Sequence, residues 1–162
     1  MDKMHLSQKD KLFKADLQDP YRAAMHNKGP AYCGDCGASY QAGRWSWQKL
    51  AEADAAARIS CPACRRKADN APAGTLTLSG PFVLSHHQDI VNVINHVEQA
   101  EKSQHPLERL MRISPSSDGL QVTTTGVHLA NRIGHALESA FGGKASYHHD
   151  DQRRHVAVRW SR

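Results

Sequence analysis

Two Cys-x-x-Cys pairs with 24 residues between them, followed by apolar positions whose spacing switches between two and three-to-four, predict an α+β chain. The expected architecture is an N-terminal four-cysteine zinc ribbon followed by a ferredoxin-like β-α-β-β-α-β domain with a C-terminal β-hairpin. Hydrophobic residues make up 40% of the 162, aromatics only 6%, and the mean hydropathy is -0.62, so the chain can bury a modest core. Little apolar material falls in its N-terminal part, and something other than packing must hold that part together.

The chain divides into three pieces. Residues 1–32 carry six bases and four acids, and Pro20, Gly29 and Pro30 interrupt any helix. They read as a mobile basic arm, helical at most near Ser7 to Leu17. Residues 33–72 hold all four cysteines, again with six bases against four acids, and form the zinc ribbon; Asp69 to Pro72 reads as the linker. Residues 73–162 hold most of the β-branched and Leu positions and form the α+β domain.

Within that domain Thr75 to Ser79 alternates and reads as a strand, with Leu76 and Leu78 on one face. From Ser85 to about Ser103, the residues Ile90, Val93, Ile94, Val97 and Ala100 recur at helical spacing. Leu107 to Ile113 and Leu120 to Thr124 read as two further strands, joined by a turn through Pro115, Ser116, Ser117, Asp118 and Gly119. Val127 to Phe141 repeats the helical stripe through Leu129, Ile133, Ala136, Leu137, Ala140 and Phe141, and Gly142 with Gly143 stops it. Lys144 to His149 and His155 to Trp160 close as a hairpin around Asp150 to Arg153, with Val156, Val158 and Trp160 on one side.

Cys33-Gly-Asp-Cys36 and Cys61-Pro-Ala-Cys64 carry the strongest signal. Two residues between cysteines let one tight turn aim both sulfurs at a single point, so Cys33, Cys36, Cys61 and Cys64 are expected to hold one structural Zn²⁺. With all four positions filled by thiolate, no site is left open for catalysis. A redox dithiol fits one such pair less badly than two at this spacing. The formal charge of +5, with a sequence pI near 9.2, falls to +3 once four thiolates and one divalent ion are counted.

Several basic and aromatic residues flank the cysteines. Arg44, Trp45 and Trp47 lie between the knuckles, and Arg65, Arg66 and Lys67 follow the last ligand. Cations beside aromatic faces grip phosphates and stack on unpaired bases, so Arg44, Trp45, Arg65, Arg66 and Lys67 are candidate nucleic-acid contacts. The alternative is that both Trp cover a ribbon without a core and that the basic run is solvated. Arg153 and Arg154, with Arg159 and Arg162, form a second basic cluster, in which Arg153 and Arg154 are further candidate nucleic-acid contacts and a solubilising edge is the alternative. The open sheet face would show Thr75, Thr77, Gln121, Thr123, His155 and Arg159, without the exposed aromatics that a base-reading ribonucleoprotein sheet uses; phosphate docking fits it better.

Among the eleven histidines, the run His148, His149, Asp150, Asp151 could bind a second ion or supply an acid and a base, although a polar hairpin tip is ordinary. No phosphate loop, G-x-S-x-G or H-E-x-x-H occurs, and no small-molecule substrate is indicated. No run of about 20 apolar residues spans a membrane and no signal-peptide-like segment opens the chain. A soluble, cytoplasmic protein is expected.

Taken together, Asp19-Pro20-Tyr21, CGDCGASYQAGRWSW, CPACRRKADNAPAGTLTLSG, HPLERLMRIS, GLQVTTTGVHLANRIGHALESAF and the closing VRW resemble a widespread family of small, poorly characterised bacterial zinc-ribbon proteins. The resemblance covers nearly all of residues 19–160, and the cysteine motif carries over to Cys33, Cys36, Cys61 and Cys64. That family is distantly similar to the archaeal and eukaryotic adaptor for export of the large ribosomal subunit, which is far longer than this chain. The resemblance implies a non-enzymatic zinc protein that binds ribosomal RNA or a ribosomal subunit in maturation, quality control or dormancy. The other readings are a zinc-dependent protein-interaction module regulating transcription or stress responses, and a metal-dependent hydrolase using His148 to Asp151.

Overall fold

The computed structural model describes residues 19–23, 29–51 and 55–162. Most of the basic arm, including the helix expected near Ser7 to Leu17, lies outside the described residues. What is described of the arm is docked: α1 (Pro20–Ala23) is a single turn capped by Asp19, whose carboxylate accepts the Tyr21 N–H at 3.0 Å. The piece read as mobile is therefore pinned at Asp19 to Arg22.

The first sheet comprises β1 (Ala31–Cys33), β2 (Ser39–Gln41), β3 (Arg44–Ser46) and β4 (Ala57–Ile59), in the order β3-β2-β1-β4. It begins at Ala31, two residues before the expected ribbon boundary. β1, β2 and β3 form an antiparallel meander, whereas β4 returns parallel to β1. Gly43, with φ +77°, makes the tight reversal between β2 and β3. After β4 the chain enters α2 (Pro62–Asp69), whose end is set by Asn70 in the left-handed conformation.

The second sheet comprises β5 (Gly74–Ser79), β6 (Leu110–Ser116), β7 (Gly119–Thr124), β8 (Lys144–Asp150) and β9 (His155–Ser161), in the order β6-β7-β5-β9-β8. A short helix α3 (Pro81–Ser85) and the long α4 (His87–Gln104) join β5 to β6, and α5 (Val127–Phe141) joins β7 to β8. A ferredoxin-like sheet would place the strand after α5 beside β5. Here β9 takes that place and runs parallel to β5, while β8 is displaced to the edge. Burial explains the exchange. Val156, Val158 and Trp160 of β9 are all within 1% of full burial, whereas β8 buries none of its residues fully.

The core lies on one side of this sheet. Leu76, Leu78, Leu120, Val122, Val156, Val158 and Trp160 meet Ile90 and Ile94 of α4 and Leu129, Ile133 and Leu137 of α5. Gly134 lets α5 approach closely: a Cβ there would sit 2.8 Å from the Tyr147 hydroxyl and 3.1 Å from Val158. The indole N–H of Trp160 donates to Gly142 O at 2.8 Å, which ties the end of α5 to the last strand.

Two boundaries differ from the sequence reading. β6 starts at Leu110 rather than Leu107, and it runs through Pro115 and Ser116, leaving only Ser117 and Asp118 as the turn. Proline is tolerated because β6 is an edge strand whose outer N–H groups need no partner.

On the opposite face, Thr75 Oγ1 and His155 Nε2 lie 3.0 Å apart. Burial lowers the His155 pKa from its ordinary 6.5, aided by Arg66 and Arg153 and opposed by Asp150. The folded state therefore prefers neutral imidazole: its stabilisation is complete above the ordinary value and is lost as pH falls through the lower folded value. We expect urea unfolding from about pH 8 down to about pH 5 to show this loss in the wild type. His155→Gln, which keeps a polar partner for Thr75 but does not titrate there, should show a smaller one; an unchanged profile would remove His155 as its source.

Candidate metal centre

The first pair of cysteines follows β1. Gly37, at φ +82°, closes the Cys33–Cys36 knuckle and its N–H donates to Cys33 O at 2.9 Å. The second pair is built differently from the expected hairpin knuckle: Cys61 is the N-cap of α2, Pro62 opens the helix, and Cys64 lies in its first turn. Arg65, which stands where a turn would favour Gly, is helical, and its N–H donates to Cys61 O at 2.9 Å. The parallel pairing of Cys33 with Ile59 brings both halves together.

All four Sγ atoms lie within 4.8 Å of one another, and Cys36 Sγ is 3.8 Å from Cys61 Sγ. Four thiolates about 2.3 Å from one zinc stand about 3.8 Å apart, and a disulfide would need about 2.05 Å. The cysteines are free, and the spacing and donor type fit one tetrahedral ion. Cys33 and Cys61 are almost wholly buried. Among the described residues, the hydrophobic side chains packed around them are Ala38, Ala63 and, half-buried, Trp45 and Leu107, so a bound ion would supply cohesion that this small cluster cannot.

The surroundings favour thiolate at Cys33. The Cys61 N–H donates to Cys33 Sγ at 3.2 Å and the Cys64 N–H to Cys61 Sγ at 3.4 Å. Burial pushes the Cys33 thiol up, but the amides of Cys61, Cys36 and Asp35 outweigh it and hold it at about 7. Burial dominates at Cys36 and Cys61 and pushes both thiols up. A divalent ion would supply the charge that makes all four anionic together.

Sequence reasoning missed a further participant, Arg109, between β6 and the end of α4. Its Nη2 lies 3.1 Å from Cys61 Sγ and 3.1 Å from Cys64 Sγ, and the residue is 6% exposed. Thr125 frames it: the Arg109 N–H donates to Thr125 Oγ1 at 2.9 Å and the Thr125 N–H to Arg109 O at 2.8 Å. Next to it, the Glu108 carboxylate accepts the Leu129 N–H at 2.9 Å and occupies the start of α5; a Cβ on Gly126 would overlap it. Nothing in the sequence marks Arg109, because its partner is created by folding.

The expected nucleic-acid contacts separate on inspection. Arg44, Arg65, Lys67 and Arg153 are exposed, and Arg154 is half-buried. Arg66 is a correction: it is 5% exposed, its Nη1 donates to Ala71 O at 3.0 Å, its Nη2 pairs with Asp19 at 3.0 Å, and it lies over the Tyr21 ring. Helical periodicity turns it inward between two outward neighbours. Trp45 is also structural, half-buried with its ring 5.3 Å from that of Tyr40. Trp47 is the exposed one, 37% accessible.

The His148 to Asp151 run does not assemble. Strand alternation puts His148 and Asp150 on one face of β8 and His149 on the other, where it lies 3.2 Å from Asn131 Nδ2. Among the described residues, the cysteines are the one group of three or more His, Cys, Asp or Glu placed to share an ion. Among the same residues, no helix is long and apolar enough to cross a membrane.

We expect elemental analysis to find one metal ion per chain, and a strong chelator to unfold residues 31–70, read by far-ultraviolet circular dichroism. Removing about 10 kcal/mol of metal-coupled folding energy exceeds what so small a module can replace. Arg109→Ala should weaken zinc binding about 10- to 100-fold in competition with a chromogenic chelator, as loss of an outer-shell partner does. No protein-family model matches the chain, and no curated protein matches it.

Proposed function

We propose that the protein is a non-enzymatic, zinc-dependent RNA-binding accessory protein that docks on the phosphate backbone of structured RNA, with ribosomal RNA or a ribosomal subunit as the target. One observation carries this reading: the face of the five-stranded sheet opposite the helices. Register places Arg112, Thr123, Thr75, Ala157 and His148 in one row across it, and Ser114, Gln121, Thr77, Arg159 and Ser146 in the next. The third row is Ser116, Gly119, Ser79, Ser161 and Lys144.

The chemistry of this platform is uniform. Short hydroxyl and amide side chains leave it flat, and Arg112, Arg159 and Lys144 stand exposed on it. The single strand acid on that face is Asp150, in register with His155. Arginines on a flat polar surface suit phosphate oxygens, which fix position without reading sequence. No Phe, Tyr or Trp stands in these rows, and His148 at the edge strand is the one ring among them, so shape and charge would carry most of the recognition here. The resemblance to the bacterial zinc-ribbon family supports the ribosomal target, and the ribbon bases Arg44, Arg65 and Lys67 add to the cationic surface.

A second reading, the protein-interaction module, is favoured by the open edge of β8, seven residues long and without proline, to which a partner strand could add.

Arg112→Glu with Arg159→Glu discriminates the two. For RNA, affinity should fall about tenfold or more, and the slope of log affinity against log salt should lose roughly 1.5 to 2, close to one per phosphate contact. Filter binding with structured RNA at several salt concentrations measures both. Wild-type protein that retains no RNA at low salt, while holding a protein complex through both substitutions, would overturn the leading reading.

A further inference from the structure

A groove of about 570 Å³ lies where the outgoing end of β3 meets the C-terminus of α4. Gln41, Arg44, Trp47, Gln48, Ser103 and Gln104 line it, and among the described residues none of the lining is acidic. The indole N–H of Trp47 donates to Lys102 O at 2.7 Å, which fixes the ring against the helix end while 37% of the residue stays accessible. An exposed tryptophan whose orientation is already set loses little freedom on binding.

We propose that this groove is a stacking subsite for one unpaired base of single-stranded RNA, a proposal that rests on the RNA-binding reading above and adds a second surface to it. The Trp47 ring offers the stacking plane. Gln41, Gln48 and Gln104 each carry both a donor and an acceptor, the pair that a base edge requires. Arg44, the one charged residue among the described residues of the lining, serves the adjoining phosphate. The sheet face lacks Phe, Tyr and Trp and holds duplex or structured backbone; the groove holds a base that has left its stack.

The test uses the full-length, zinc-loaded protein titrated with a short oligouridylate, and separately with a fully paired RNA duplex, while tryptophan fluorescence is followed. Trp160 is fully buried and Trp45 is packed against Tyr40, so stacking reports through Trp47 and can quench up to about a third of the signal from three tryptophans. Oligouridylate should quench and the duplex should bind without quenching. Trp47→Ala should raise the Kd for oligouridylate about tenfold or more, the size of effect seen for a single base stacked on an aromatic ring. Trp47→Phe should retain most of the affinity, and Arg44→Ala should weaken binding while leaving the quench at saturation intact.

Quenching is read on the wild type and needs no variant to fold. Oligouridylate binding, seen by fluorescence anisotropy of a labelled strand, with no quench and no effect of Trp47→Ala would overturn the subsite and leave the sheet-face reading standing. Failure of both RNAs to bind would overturn both.

Discussion

A guanidinium resting on two cysteine sulfurs ties the halves of this protein together. Arg109 belongs to the α+β domain by sequence and to the cysteine centre by contact, since Nη2 is 3.1 Å from Cys61 Sγ and from Cys64 Sγ. A zinc with four thiolates carries a local charge of -2, and the nearly buried Arg109 brings +1 to it. Each would be costly to bury without the other. Burial pulls the Arg109 pKa down, and the hydrogen bond to Cys64 with the charges of Cys61, Cys64 and Cys36 more than restores it, so the residue stays cationic. Thr125 and Glu108 complete the join by fixing the segment before β6 and capping α5.

The other end of α2 has its own fastening. Asp19 and Arg66 pair at 3.0 Å with both side chains almost wholly buried, Tyr21 stacks beneath the guanidinium, and the Tyr21 hydroxyl donates to Asp69 at 2.8 Å. α2 therefore carries metal ligands at its first turn and a charge pair on its inner face. A helix of eight residues with so few apolar side chains would not hold its place by packing alone. Polar fastenings do here what a hydrophobic core does in the second half of the chain, where Leu76, Ile94, Leu137 and Trp160 disappear from solvent.

The legible parts of the sequence were those governed by periodicity and ligand spacing. Leu129, Ile133 and Leu137 announce α5, and it spans the expected Val127 to Phe141. The cysteine spacing announces a shared ion, and the sulfurs meet. Strand order was not legible, because alternation in Lys144 to Asp150 and in His155 to Ser161 looks alike; only the greater apolar content of β9 decides which becomes interior. Arg66 was misread because a run of three bases carries no phase until the helix around it is known. Arg109 was invisible because its partners lie 45 and 48 residues away in sequence.

Metal state and surface chemistry are coupled through this arrangement. The two halves touch through Arg109 at the cysteine sulfurs and through Trp47 at the Lys102 carbonyl. Loss of the ion would remove the centre that gathers the four sulfurs beside the buried Arg109. The meander of β1, β2 and β3, which leads into the cysteine cluster at Cys33, would then no longer present Trp47 to the end of α4. Because the sheet platform draws its order from a separate apolar core, it would survive that loss. An ion held by the four cysteines would thus govern the β1 to α2 module and its groove, while charge on the platform would be independent of it, so that metal removal alone would separate the two surfaces.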